Sequence, residues 1–154
     1  MQGQLTPSFG DYELIDTGDF EKLERFGQYV ARRPEPQAIW RRSLPEGEWR
    51  RMADAAFLRD VRSDERGEWR LRPGMPPRWT VAYEYKDMAL RMRLGLTSFK
   101  HVGIFPEQAA NWNFIYDNCR ALASGGTFPV DISGAAAAGS SLPAHDVAVP
   151  SGAG

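Results

Sequence analysis

Two groups of residues in this 154-residue sequence have the types and spacing for chemistry. The first lies in the stretch from Thr97 to Asn113, where Gly103 separates an apolar segment from a helix opened by Pro106 and Glu107. Unpaired backbone N–H groups at such a helix start hold a carboxylate or a phosphate. Gln108 and Asn111 are three apart and so share a helix face. Phe105 offers a ring for stacking on a planar ligand. A junction packed for purely structural reasons uses the same residue types, and both readings stand at this point. The second group is arginine: Arg32-Arg33, Arg41-Arg42, Arg50-Arg51 and the pair Arg91/Arg93. Such residues line phosphate-binding faces. Acidic residues match them nearly one for one, so a solvated mixed-charge surface is the other reading.

Other constellations are absent. The sequence has no P-loop, no G-x-G-x-x-G turn and no G-x-S-x-G elbow. One cysteine and two histidines do not make a typical structural zinc site, and one cysteine excludes an internal disulfide. His101 and His145 are far apart in sequence. Cys119 sits on an apolar helical stripe and reads as a buried, inert thiol.

The elements that position these residues are legible from periodicity. Tyr12–Asp16, Lys22–Phe26 and Tyr29–Ala31 read as short strands, with Thr17-Gly18-Asp19 as a turn. Pro34 and Pro36 predict an extended link up to Trp40. Pro45 and Glu46 open a helix in which Trp49, Met52, Ala53, Ala56 and Phe57 recur at helical spacing. Trp79, Val81, Tyr83 and Tyr85 alternate, as do Leu90, Met92, Leu94 and Leu96, which predicts a hairpin turning around Lys86-Asp87-Met88. Trp112, Ile115, Tyr116, Cys119 and Leu122 mark a last helix, stopped by Gly125-Gly126. The expected class is α+β: a small, mostly antiparallel β unit with one crossing helix, a C-terminal helix and a disordered tail.

Composition divides the chain. It is 42% apolar and 25% charged, with 19 Lys and Arg against 20 Asp and Glu, so bulk charge implies no polyanionic partner. Residues 125–154 contain no Lys or Arg and are mostly Gly, Ala, Ser and Pro, a composition that cannot offset its ordering entropy. Residues 1–10 are expected to be flexible, 11–124 to fold, and 125–154 to be disordered. No apolar run approaches a membrane span and no signal-peptide pattern opens the chain, so no membrane is expected. The scarcity of Cys and His leaves no metal expected, and the single Cys makes a cytoplasmic location the default expectation.

The residues His101-Val102-Gly103-Ile104-Phe105-Pro106-Glu107-Gln108-Ala109-Ala110-Asn111-Trp112 resemble the H-V-G-x-F-P-E-Q-A-x-N-W-D signature of bacterial class I S-adenosylmethionine-dependent methyltransferases, relatives of the large-subunit ribosomal-RNA methyltransferases. Tyr12–Asp16, Lys22–Gly27 and Arg33–Trp40 resemble that family's N-terminal region in the same order. Asn113 stands where the family usually has Asp. The family's later strand and Gly-containing turn, its ribose-binding acid and its D-P-P motif are missing here; Val130-Asp131-Ile132-Ser133-Gly134 is only a faint echo of the first. The resemblance therefore implies an N-terminal fragment, cut short before the catalytic Rossmann-like domain and inactive alone. It implies S-adenosylmethionine as the family cofactor, with Phe105 and Gln108 near it, and no catalytic residue in this chain. It also implies RNA as the substrate. An RNA-binding module without catalysis is the alternative, with Arg41, Arg42, Arg50 and Arg51 as the expected nucleic-acid contacts. An apolar face of the last helix, left without its usual neighbour, would invite self-association.

Overall fold

The computed structural model describes residues 7–63 and 66–125. The expected disordered tail, apart from Gly125, lies outside the described residues, as do His145 and residues 1–6. The architecture is α+β, as expected. Strands β1 (Tyr12–Gly18), β2 (Glu21–Phe26) and β3 (Tyr29–Pro34) form an antiparallel meander. The chain then crosses through helix α1 (Glu46–Met52) to β4 (Ala55–Arg59), which pairs in parallel with β3. Strand β5 (Gly67–Leu71) pairs antiparallel with β4 and completes a five-stranded sheet in the order β1-β2-β3-β4-β5. Strands β6 (Arg78–Tyr85) and β7 (Met88–Gly95) make a separate two-stranded ribbon. A single 3-10 turn, Pro106–Gln108, leads into helix α2 (Ala109–Ala123).

Two sequence expectations need correction. Helix α1 ends at Met52, and Ala55–Arg59 is a strand. Ala55 and Phe57 are buried, while Ala56 is half-buried and Leu58 exposed, which is an alternating pattern up to the strand's last residue. Ala56 and Phe57 fit helical spacing in sequence, but the chain here pairs with both β3 and β5, tertiary partners that override local spacing. Strand β5 was not expected at all, because Trp69 is its one buried side chain. The core also begins before Asp11. Phe9 is buried and packs edge-on against Tyr83, with ring centroids 5.0 Å apart.

Sheet and ribbon share one core. Phe26, Trp79, Val81, Tyr83 and Leu94 belong to it, and the Trp79 indole donates to the Phe26 carbonyl at 3.0 Å. Complete burial of one such large side chain contributes roughly 1.5–3 kcal/mol. Polar groups inside are paired. Glu24 and Arg33, both buried, form a two-point ion pair at 2.6 and 3.0 Å, and Tyr12 donates to Glu24 at 2.9 Å.

Candidate functional site

The segment from Lys100 to Gln108 is positioned by alternating burial. Val102, Ile104 and Pro106 point inward, and His101, Gly103, Phe105 and Glu107 point outward. The Gly95 amide donates to the Val102 carbonyl at 3.1 Å, which ties the segment to the end of β7. Gly103 has φ of 99°, a conformation that L side chains rarely adopt, and this lets the chain turn toward α2. The outward residues face the ends of β2 and β3. Between them lies a cavity of about 220 Å³, bordered by Lys22, Arg33, Glu35, His101, Phe105 and Glu107 among others.

The charges along this cavity are organised. Lys22 bridges Glu35 at 3.1 Å and Glu24 at 3.6 Å. Arg33 reaches the Lys100 carbonyl at 3.4 Å. Burial pushes the Glu35 carboxyl up, but the hydrogen bond and charge of Lys22 outweigh it and hold the group below the usual range. Tyr12 is shifted the other way: burial first, then the Glu24 charge, push its phenol well above the ordinary value, so it stays protonated. Phe105 is 47% exposed, and its ring lies 5.4 Å from that of His101. The cavity lining contains no Ser, Thr or Cys, so it has no hydroxyl or thiol nucleophile. Its chemistry is recognition: an open aromatic face, cations held in place, and the exposed carboxylate of Glu107.

Phe105 and Gln108 are not brought together. The Gln108 side-chain oxygen instead accepts from Asn111 at 2.7 Å, and Gln108 does not line the cavity. Tested against the needs of S-adenosylmethionine, the lining fits one wall of a nucleoside site. Phe105 supplies a stacking surface and Glu107 a hydroxyl acceptor, but no Gly-rich turn at a strand end completes the pocket among the described residues.

The four arginines expected to contact nucleic acid also divide. Arg42 donates to Asp19 at 3.0 Å and to Glu46 at 2.7 Å, and its guanidinium lies 4.7 Å from the Trp49 ring centre. Arg50 donates to Glu46 at 2.9 Å, and Arg51 to Glu48 at 2.6 Å. Glu46 is held down to about 2, first by the hydrogen bond from Arg32, which outweighs the effect of burial, and then by that from Arg50. Arg41 is exposed and makes no ion pair among the described residues. The expected patch thus offers one uncommitted cation.

Cys119 corrects another expectation: it is exposed, not buried. Asn113 and Asp117, four apart, accept from Tyr83 at 2.8 Å and Tyr85 at 2.9 Å. These bonds turn α2 so that Ile115 and Leu122 are 58% and 44% exposed. Trp112 is half-buried against Tyr83. The departure at Asn113 therefore preserves an acceptor for Tyr83. Sequence reasoning had no signal for the Glu24–Arg33 pair beside the cavity, since the two lie on different strands and meet only through the β2–β3 register.

No protein-family model matches the chain, and no curated protein matches it. Among solved structures, that of the SAM-dependent methyltransferase from Agrobacterium tumefaciens matches with a TM-score of 0.62 and 36% sequence identity, over 71% of this chain and 33% of that chain. Over most of its length, then, this chain is similar in sequence and fold to about one third of a SAM-dependent methyltransferase, the kind of enzyme that the residues around the cavity resemble.

Proposed function

We propose that this chain is the N-terminal region of a cytoplasmic SAM-dependent methyltransferase acting on RNA, and that alone it binds RNA without transferring a methyl group. The similarity to the Agrobacterium enzyme supports the methyltransferase part of this reading, because identity of 36% and a shared fold extend over 71% of the chain. The RNA substrate rests on the sequence resemblance of residues 101–112. The chain spans about one third of that enzyme's length, and the described residues contain one parallel crossover rather than a doubly wound sheet. When bound, S-adenosylmethionine supplies an activated methyl on its sulfonium, and the protein's part is positioning. In this reading Phe105 stacks on one face of the cofactor's nucleoside. The Lys22–Glu35 and Arg33–Glu24 pairs keep the wall behind it rigid.

The test incubates the full chain with methyl-tritiated S-adenosylmethionine and total cellular RNA, and follows RNA binding separately by fluorescence anisotropy. No label in RNA and salt-sensitive binding are expected. Label incorporated by this chain alone overturns the division of labour. Absence of RNA binding at low salt overturns the RNA substrate.

A further inference from the structure

The ribbon β6–β7 has one face in the core and one in solvent. Trp79, Val81, Tyr83 and Leu94 take the inner face. The outer face carries Arg78, Thr80, Ala82 and Glu84 from β6, and Ala89, Arg91 and Arg93 from β7, all exposed. The register places Thr80 opposite Arg93, Ala82 opposite Arg91, and Arg78 opposite Gly95. Arg91 and Arg93 are therefore about 6.8 Å apart along β7. Arg78 is diagonal to Arg93 at roughly 7–8 Å. Its side chain leans over Gly95, where an added Cβ would lie 3.6 Å from the Arg78 Cγ.

These three guanidinium groups differ from the arginines around α1. Arg32, Arg42, Arg50 and Arg51 are bound by Asp19, Glu21, Glu46 or Glu48. Arg78, Arg91 and Arg93 make no ion pair or hydrogen bond through their side chains among the described residues. Glu84, diagonal to Arg91, is the one acidic side chain on the face. Nearby acids are engaged: Asp11 accepts the Ala82 amide at 2.7 Å, and Asp87 pairs with Arg120 at 3.1 Å. Three like charges in a row on one face repel one another, a cost that pairing of the two strands does not require.

We propose that this outer face of the β6–β7 ribbon, through Arg78, Arg91 and Arg93, is where the chain grips the sugar-phosphate backbone of RNA. The inference rests on the reading of the chain as part of an RNA-acting enzyme, and it moves the contact away from Arg41, Arg42, Arg50 and Arg51. Guanidinium groups bind phosphate oxygens with two parallel hydrogen bonds. The row spaces them for successive phosphates of an extended strand. Thr80, Ala82 and Gly95 between them are short, so a backbone can lie close to the sheet. The contact is to phosphate and carries no sequence preference.

The test is binding of a fluorescein-labelled oligouridylate to the full chain across a salt series. It compares wild type, R78A/R91A/R93A, R78K/R91K/R93K and R41A/R42A/R50A/R51A, each checked for folding by thermal unfolding. The triple Ala variant is expected to weaken binding about tenfold or more at low salt and to reduce the log–log salt slope by about 2. The triple Lys variant should retain most binding, and the quadruple variant should stay within a few-fold of wild type. R91E and R93E, single changes at exposed strand positions, must each weaken binding as well. Full binding by the triple Ala variant overturns the ribbon contact and leaves the RNA reading intact. No binding by wild type at low salt overturns both. Capture by phosphatidylserine vesicles, without RNA binding, would make this a membrane-facing surface and would also overturn the proposal.

Discussion

Asp16 is the residue on which the small sheet and α1 are joined. A bulge between Leu14 and Asp16 interrupts the β1–β2 register and aims this carboxylate inward, where it is 8% exposed. It accepts four hydrogen bonds: from the amides of Thr17 at 2.9 Å, Ser43 at 3.1 Å and Leu44 at 2.8 Å, and from the Trp49 indole at 2.8 Å. Burial pushes its pKa up, but those donors outweigh burial and leave it below the ordinary 3.8. Asp16→Ala strands four donors, two of them from the chain entering α1, and is expected to cost about 3 kcal/mol. Asp16→Asn should cost nearly as much, because its NH2 group would face donors. The pH dependence has a definite sign. A carboxylate lowered in the folded state stabilises fully above its unfolded value and loses that contribution as pH falls through the folded one. Glu46, held down to about 2, acts in the same direction. Wild type should therefore lose stability to urea progressively as pH drops below about 4. Asp16→Asn should show a smaller loss between neutral pH and pH 3, measured from denaturation midpoints. An equal loss in both would mean that Asp16 is not a source of the acid sensitivity.

At the scale of elements, the β1–β2 turn sets the position of the long crossover. Asp19 and Phe20 both have positive φ, 50° and 65°, and Phe20 is 56% exposed. Their amides donate to the Trp40 and Ala38 carbonyls, at 2.6 and 2.8 Å, so the turn holds the segment leading to α1. A bulky residue in this conformation is strained, and a two-residue turn of this kind prefers glycine in the second place. Phe20→Gly should raise stability by about 1 kcal/mol, with little burial to lose. Gly18→Ala should do the opposite, because an added Cβ would meet the Arg42 amide nitrogen and the Arg41 carbonyl carbon of the crossover. Thermal unfolding of both variants checks the pair, and equal midpoints would show that the turn is relaxed. The hairpin β6–β7 and helix α2 were readable in sequence because their periods are long and unmixed. Ala53, Ala56 and Phe57 fit a period of 3.6 while Ala55 and Phe57 fit a period of 2, and only pairing with β3 and β5 decides between them. The same limit applies to the site. The Glu46–Arg50 and Glu48–Arg51 pairs are i,i+4 and i,i+3 neighbours and follow from helical spacing. Arg42–Asp19 and Arg32–Glu21 exist only once the sheet has formed, which is why four arginines in sequence are one uncommitted cation in space.

The described residues form one core with a helix attached to its edge. Sheet and ribbon interlock through Trp79, whose indole binds the Phe26 carbonyl and whose ring meets Tyr29 at 5.5 Å. They should unfold together in one transition. Helix α2 is held differently. Ala109 is its one buried residue, and its anchors are Trp112, the Tyr83–Asn113 and Tyr85–Asp117 hydrogen bonds, and the Tyr116 ring 5.9 Å from Tyr85. From Cys119 to Ala123 every residue is exposed. A segment with few buried apolar contacts opens at lower free energy than the core. Amides of residues 119–123 should therefore exchange with solvent well before those of β6 and β7, and residues 109–113 should fall between them. The Cys119 thiol gives an independent reading, since it is exposed and should be modified by a disulfide reagent in the native protein without prior unfolding. Protection of both the thiol and the last-turn amides would mean that the exposed Phe114 and Ile115 face is covered in solution. Dilution then identifies the cover: protection that falls with protein concentration belongs to a second copy of the chain, and protection that does not fall belongs to the same chain.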